Sequence, residues 1–210
     1  AADTYRVDPW QNQMDYIEVW FEKDALEGVF RRVHEKWRVN YLSCRGYCSD
    51  SELHTAARRL LAARAQVKEV GGQVRILYFG DHDPSGLHMP EDIKNRLKLF
   101  GLNEGKYFAF EKLALDIKQV QKYKPPPNFA KSDDPRFKNY LDQYGSKSWE
   151  LDALDPKVLV QLASTAIKSR LNPNRWNDSL DREKEERFKL KKLIPAYDDM
   201  IIKPEEDWRA

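Results

Sequence analysis

The chain has no long apolar run and almost no net charge, and both absences narrow what it can do. Its 210 residues contain no stretch of about 18 consecutive apolar residues, so the sequence predicts no transmembrane helix and no membrane partner. The first residues are polar and are not typical of a signal peptide. The 36 Lys and Arg residues nearly balance the 34 Asp and Glu residues. Any argument for nucleic-acid binding must therefore be local.

Cysteine is scarce, which restricts metal and redox chemistry. The two cysteines, Cys44 and Cys48, are four residues apart. That spacing matches neither a CxxC redox motif nor half of a standard zinc site. His54 can add a third ligand, but no fourth is evident, so zinc stays a minor alternative. The pattern favours two reduced thiols in a cytoplasmic protein.

Segments rich in β-forming residues alternate with helical segments over the first half of the chain. This alternation predicts an α/β fold: a Rossmann-like core in which a mainly parallel sheet is flanked by helices. Ser49 or Asp50 can cap the second helix. The predicted strands cover residues 17–21, 39–44, 73–79 and 107–113, and the predicted helices residues 25–37, 52–69 and about 91–100.

The second half is predicted to be less regular. A proline-bearing loop is expected over residues 124–145, and a loop of that length is usually functional or mobile. Residues 149–154 have the alternation of an acidic strand, and Asp155-Pro156 opens a helix. A charged helix is expected over Asp181–Leu193, with a tail over 204–210. The predicted domains are an N-terminal extension (1–16), an α/β domain (17–155) and a C-terminal helical extension with its tail (156–210).

Acidic residues follow two of the predicted strands. Asp81 and Asp83 come directly after the third strand, in the run Phe79-Gly80-Asp81-His82-Asp83-Pro84-Ser85-Gly86, and Glu22 follows the first. Ligands of open α/β sheets bind at the carboxyl ends of strands, and the ends of parallel strands can adjoin. Carboxylate oxygens in such a place suit Mg²⁺ and a phosphate-bearing substrate. An acidic turn with a solvated strand-end Glu is the plainer alternative.

This pattern resembles the toprim domain, the metal-binding module of topoisomerases, primases and related nucleases. The resemblance rests on Val19-Trp20-Phe21-Glu22-Lys23 and on the Asp-x-Asp-Pro-x-Gly run, and covers roughly residues 17–154. It is nearest to the branch that contains the type IIB topoisomerases and the meiotic double-strand-break proteins. Arg45-Gly46-Tyr47 with Ser49 is similar to the turn after the second strand in that branch, and residues 149–154 are similar to a late acidic strand.

The resemblance implies that Glu22, Asp81 and Asp83 bind Mg²⁺ or Mn²⁺. It also implies that Glu22 serves as general acid or base while a DNA strand is cleaved. In the topoisomerase relatives the nucleophilic Tyr belongs to an upstream winged-helix domain, and Ile17 is expected to lie too near the start to leave room for one. A partner subunit, an upstream domain of a longer chain, or water must then supply the nucleophile.

Several further residues are predicted to assist at this site. Lys23 and Arg45 are expected at the same rim, where they can neutralise a phosphate. Ser85 and Gly86 can offer backbone N–H groups to a phosphate. Glu150 and Asp152 are expected on one face of their strand, supporting the metal indirectly. The loop residues Lys131 and Arg136 can hold a nucleic-acid backbone. His82 is expected to point away from the two acids. An ordinary surface role is the alternative for each of the cations.

The function predicted from these residues is metal-dependent cleavage of DNA phosphodiester bonds, by a nuclease or a topoisomerase-like enzyme, with RNA left open. A phosphatase of the haloacid-dehalogenase type, with Asp81 as nucleophile and Asp83 as acid, is a weaker alternative because its double Asp normally follows the first strand. The third alternative is a non-catalytic nucleic-acid-binding or assembly module that retains a vestigial acidic site.

Overall fold

The computed structural model of the chain describes residues 2–130 and 132–201, and side chains as far as residue 193. It divides into two compact units. One is Met14–Leu171, and the other joins the N-terminal segment up to Gln13 with the segment from Asn172 onward. The helix Pro156–Lys168 belongs to the first unit, whereas the sequence pattern had placed it in the C-terminal extension.

A four-stranded parallel sheet forms the centre of the larger unit. Its strands are β1 (Tyr16–Phe21), β2 (Asn40–Ser43), β3 (Val74–Phe79) and β4 (Phe108–Ala114), in the order β2-β1-β3-β4. This confirms the predicted α/β class with a parallel sheet. Because β1 lies next to β3, the carboxyl ends of those two strands are neighbours.

Three helices follow the first three strands. They are α1 (Glu27–Trp37), which a short 3-10 turn at Asp24–Leu26 precedes, α2 (Asp50–Lys68) and α3 (Pro84–Leu99). Ser49 caps α2 as predicted, in a capping box with Glu52. Helix α3 begins well before the predicted start near Glu91. Pro90 lies inside it, and an internal proline is atypical of helices, so the sequence pattern placed the start too late.

Alternate residues of β1 contribute to opposite faces of the sheet. On one face Phe21 stacks on Phe30 of α1, with ring centroids 4.5 Å apart. On the other face Trp20 joins a core with side chains of α2 and α3. Glu18 also lies on that face and is fully buried, and its carboxylate accepts two hydrogen bonds from Arg59 at 2.6 and 2.8 Å. Burial on both faces is typical of parallel sheets.

The region predicted as one long loop contains regular structure. It includes β5 (Asn128–Phe129) and α5 (Phe137–Tyr144). Helix α4 (Ile117–Tyr123) precedes the region, and β6 (Lys147–Ser148) follows it and pairs antiparallel with β5. The strand predicted over residues 149–154 is wrong. Trp149 makes a single bridge to His82, and a 3-10 turn follows at Leu151–Ala153. Helix α6 (Pro156–Lys168) begins where Asp155-Pro156 predicted it.

The smaller unit contains the long helix α7 (Pro173–Ile201), which includes the charged helix predicted at Asp181–Leu193. The N-terminal segment packs on it: the rings of Trp10 and Trp176 lie 5.8 Å apart, edge to face. The predicted tail over 204–210 lies outside the described residues. No helix in the described part of the chain is long and apolar enough to cross a membrane.

Candidate functional site

Glu22 and Asp81 meet because their strands are neighbours in register. Phe21 of β1 pairs with Phe79 of β3, so the residues that follow leave the sheet side by side. The backbone N–H of Glu22 donates to the carbonyl of Phe79 at 2.9 Å, and that of Asp81 donates to Glu22 Oε2 at 2.8 Å. The expectation that these strand ends adjoin is therefore confirmed.

The turn after β3 holds Asp83 at the start of α3. Asp83 caps the helix: its Oδ1 accepts the backbone N–H of Gly86 at 2.6 Å and the hydroxyl of Ser85 at 3.0 Å. The N–H of Gly86 is thus already bonded, so the prediction that it is offered to a phosphate is not met in this arrangement. A Cβ on Gly86 would lie 2.7 Å from the carbonyl oxygen of Asp81, so the turn requires glycine there.

Burial and mutual repulsion perturb the acids. Glu22 is only 6% exposed, and burial, followed by the charge of Asp81, raises its pKa from 4.5 to about 7. Burial likewise raises the pKa of Asp81, against the N–H of Leu151, which donates to its Oδ1 at 2.7 Å. A carboxyl group with a pKa near neutrality can both take up and release a proton at physiological pH.

Lys112 on β4 is a functional candidate that sequence reasoning missed. Its Nζ donates to the carbonyl of Asp81 at 2.9 Å and to that of Gly86 at 3.2 Å, so it fixes the backbone of the acidic turn. Burial lowers its pKa to about 8, while the nearby acids, Glu22 first, favour the charged form. Nothing in the pattern of β4 distinguishes Lys112 from a surface lysine, and only the sheet order places it here.

Lys23 lies at the site as predicted, but its partners are carboxylates. Its Nζ is 3.3 Å from Asp81 Oδ2, 2.8 Å from Glu150 Oε2 and 3.1 Å from Asp152 Oδ1. Burial alone would lower the pKa of Lys23, yet the bond to Glu150 and the charge of Asp81 raise it well above its ordinary value. Glu150 and Asp152 thus bind the same ammonium group. Asp152 lies in the 3-10 turn and Glu150 directly precedes it, so neither belongs to a strand.

The acids open into one cavity of about 560 Å³. Glu22, Asp81 and Asp83 all line it, together with Lys23 and Glu150. Phe129 of β5 lies at the same cavity and is 84% exposed, which is unusual for a large apolar side chain. The cavity therefore joins hard oxygen donors, one ammonium group and an exposed aromatic ring.

The donor chemistry of this cavity fits a hard divalent cation, although a complete ligand set is not assembled. In the part of the chain that the structure describes, no group of three or more His, Cys, Asp or Glu side chains is arranged to hold a metal ion. Each of the three acids accepts a protein N–H on one carboxylate oxygen. Mg²⁺ usually takes only one or two carboxylates and completes its shell with water and phosphate.

Two of the predicted substrate cations, Arg45 and Arg136, do not join the acids. Arg45 lies at the neighbouring strand end but is exposed and pairs with Asp24 at 3.3 Å. Arg136 pairs with Asp134 at 2.7 Å, contacts Tyr47, and lines a separate cavity of about 250 Å³ beside α3 and α5. Lys131 lies outside the described residues. Of the predicted cations, the structure brings Lys23 alone to the described lining of the acidic cavity.

His82 packs away from the acids, as expected. It is 2% exposed, and its ring lies among those of Tyr140, Tyr144 and Trp149. Burial lowers its pKa. His82 thus anchors the acidic turn to the segment that carries Glu150. The two cysteines are free thiols, both buried.

Comparison of the chain with protein-family models, with curated proteins and with solved structures gave no match.

Proposed function

We propose that the chain is a divalent-metal-dependent enzyme that cleaves DNA phosphodiester bonds, as a nuclease or as the metal-binding part of a topoisomerase-like machine. One observation carries the proposal. Glu22, Asp81 and Asp83 follow adjoining parallel strands and line the same cavity. The resemblance to the toprim domain, drawn from the same three residues, points to the same chemistry.

Asp81 and Asp83 would hold Mg²⁺ or Mn²⁺, with Glu22 as a third ligand or as the proton carrier. A bound ion supplies charge stabilisation to a phosphate in the transition state and orients it. In the metal-free protein, burial and the charge of Asp81 raise the pKa of Glu22 to about 7, which suits this side chain to taking up and releasing a proton. Lys112 holds the carbonyl groups of the turn, so the two Asp side chains stay in place.

Lys23 and Phe129 would contact the substrate itself. The ammonium group of Lys23 lies within the cavity and can exchange a carboxylate partner for a phosphate oxygen. The exposed ring of Phe129 offers a stacking surface to a base next to the cleaved bond. These contacts involve the phosphate and the face of a base rather than the sugar, whose 2′-hydroxyl distinguishes RNA from DNA. They therefore suit RNA as well as DNA.

The described lining of the cavity contains the hydroxyls of Ser85 and Ser148 but no tyrosine. Covalent strand breakage of the topoisomerase kind therefore needs a Tyr from an upstream winged-helix domain or a partner subunit. Without one, water is the nucleophile and the products are those of hydrolysis.

Cleavage of a supercoiled plasmid and of labelled single-stranded DNA tests the proposal. Activity should appear with Mg²⁺ or Mn²⁺, vanish in EDTA, and fall at least about 100-fold in Asp81→Asn and in Glu22→Gln. Glu69 is an exposed residue directly after α2, so Glu69→Gln serves as the matched control and should cleave DNA at the wild-type rate. Wild-type rates in both site variants would refute the assignment.

One observation favours a second function. Lys23 already neutralises Asp81, and no complete three-ligand set is in place in the described residues. These features also suit a non-catalytic nucleic-acid-binding or assembly module with a vestigial site. Tight DNA binding that ignores EDTA, with no cleavage in Mn²⁺, would select this alternative.

A further inference from the structure

A basic groove lies between α1 and α6, apart from the acidic cavity. It has a volume of about 470 Å³, and the described residues that line it include Arg32, Lys36, Lys157 and Lys168 but no Asp or Glu. The whole chain has nearly equal numbers of acidic and basic residues, so a lining whose charged side chains are all basic is a local departure from the composition. Hereafter these four residues are called the groove cations.

The groove cations have no ion-pair partner among the residues that the structure describes. The groove cations are themselves exposed, and other exposed cations of this unit do pair with carboxylates, as in Arg31–Glu27 and Arg45–Asp24. Unmatched like charges along one groove repel each other, and an anion bound there would relieve that repulsion.

The rest of the groove supplies neutral hydrogen-bonding groups and one indole. Gln161, Ser164 and Thr165 lie along the α6 side, and Trp37 Nε1 donates to Ser164 Oγ at 2.9 Å. Lys157 and Lys168 are three helical turns apart on α6, a span of about 16 Å at 1.5 Å per residue. Cations spread over such a length, with hydroxyl and amide groups between them, suit a chain of phosphates better than a single small anion.

A short segment of chain links the groove to the acidic cavity. Leu151, whose N–H binds Asp81, is five residues before Pro156, and Pro156 lines the groove. We propose that this groove binds the phosphate backbone of the nucleic-acid strand that leaves the acidic cavity. The choice of nucleic acid as the occupant rests on the proposed function, whereas the preference for a phosphate chain rests on the groove.

Binding of a labelled 20-nucleotide single strand, measured by fluorescence anisotropy in EDTA with the Asp81→Asn protein, tests this assignment. The variant Lys36→Glu/Lys157→Glu/Lys168→Glu should bind about 100-fold more weakly at 0.1 M salt. The slope of log K against log salt should fall by about 2, since each contact to a single strand contributes about 0.7. The matched control Lys106→Glu/Lys118→Glu/Lys122→Glu changes exposed cations elsewhere in the same unit and should lose less than about threefold.

Three results would overturn the assignment: no binding by the parent protein, equal losses in the two triple variants, or equally strong competition by polyglutamate, which would indicate an acidic peptide site. Circular dichroism of both triple variants checks that they are folded before binding is compared. Because binding is measured without metal or cleavage, a protein that never cleaves DNA can still show the groove effect, and this separates the two proposals.

Discussion

Replacing Glu22 with glutamine should remove a specific pH dependence from the stability of the metal-free fold. The folded-state pKa of Glu22 is raised from 4.5 to about 7. Between those values the folded protein holds a proton that the unfolded chain has released, so raising the pH favours unfolding. This single group should lower the free energy of unfolding by about 2.5 kcal/mol between pH 5 and pH 8. Its contribution is present below pH 4.5 and is lost as the pH rises through 7.

The amide of the Glu22→Gln variant would keep an acceptor for the backbone N–H of Asp81 but would carry no charge. Urea unfolding in EDTA, followed by circular dichroism at pH 5, 6, 7 and 8, measures the effect. In Glu22→Gln the loss of stability toward pH 8 should shrink by about 2.5 kcal/mol, while Glu69→Gln should retain the wild-type profile. Parallel profiles for the wild type and Glu22→Gln would show that Glu22 is not held in a charge-penalising environment.

Three further substitutions test the site's charge balance, the buried ion pair and the tight turn. Lys23→Met removes the ammonium beside Asp81 and should tighten Mn²⁺ binding about tenfold. The reason is that two unit charges about 4 Å apart interact by about 1 kcal/mol even in water. Unchanged or weaker affinity in calorimetry would contradict this. Arg59→Met leaves the buried Glu18 carboxylate without its cationic partner and should lower the free energy of unfolding in urea by about 3 kcal/mol. The double variant Glu18→Gln/Arg59→Met should recover most of that loss. Equal losses in the two variants would count against the buried pair. Gly86→Ala places a Cβ 2.7 Å from the carbonyl oxygen of Asp81 and should destabilise the fold by about 2 kcal/mol. Gly28 in α1 has open space around it, so Gly28→Ala should be neutral or slightly stabilising. Similar effects at the two glycines would show that the turn is not tightly packed.

Much of the sheet could be predicted because its determinants are local. The apolar runs of β1 and β3 and the Gly80 break fix the strands, and the parallel arrangement follows from the alternation with helices. The adjoining of Glu22 and Asp81 then needed only that β1 and β3 be neighbours. Lys112 could not be found in this way, because its role depends on β4 lying beside β3 and on burial that no spacing reveals.

The errors also have physical causes. Residues 149–154 alternate as a strand does, but Leu151 donates its N–H to the Asp81 side chain, and the chain turns there instead of pairing. The N–H of Gly86 was expected to face a phosphate, yet the side chain of Asp83 is nearer and caps the helix. In both cases a side-chain carboxylate accepts the backbone N–H group that was expected to bond elsewhere. Hydrophobic periodicity carries no information about such side-chain competition for backbone groups.

Calorimetric titration of Mn²⁺ into the metal-free protein at pH 8 asks whether the acids at the ends of β1 and β3 form a metal site. We expect saturable binding of one or two ions, weakened at least about tenfold in Asp81→Asn and in Asp83→Asn, and unchanged in Glu69→Gln. Absence of saturable binding, or equal affinity in the wild type and both Asp variants, would show that these acids do not hold a metal ion.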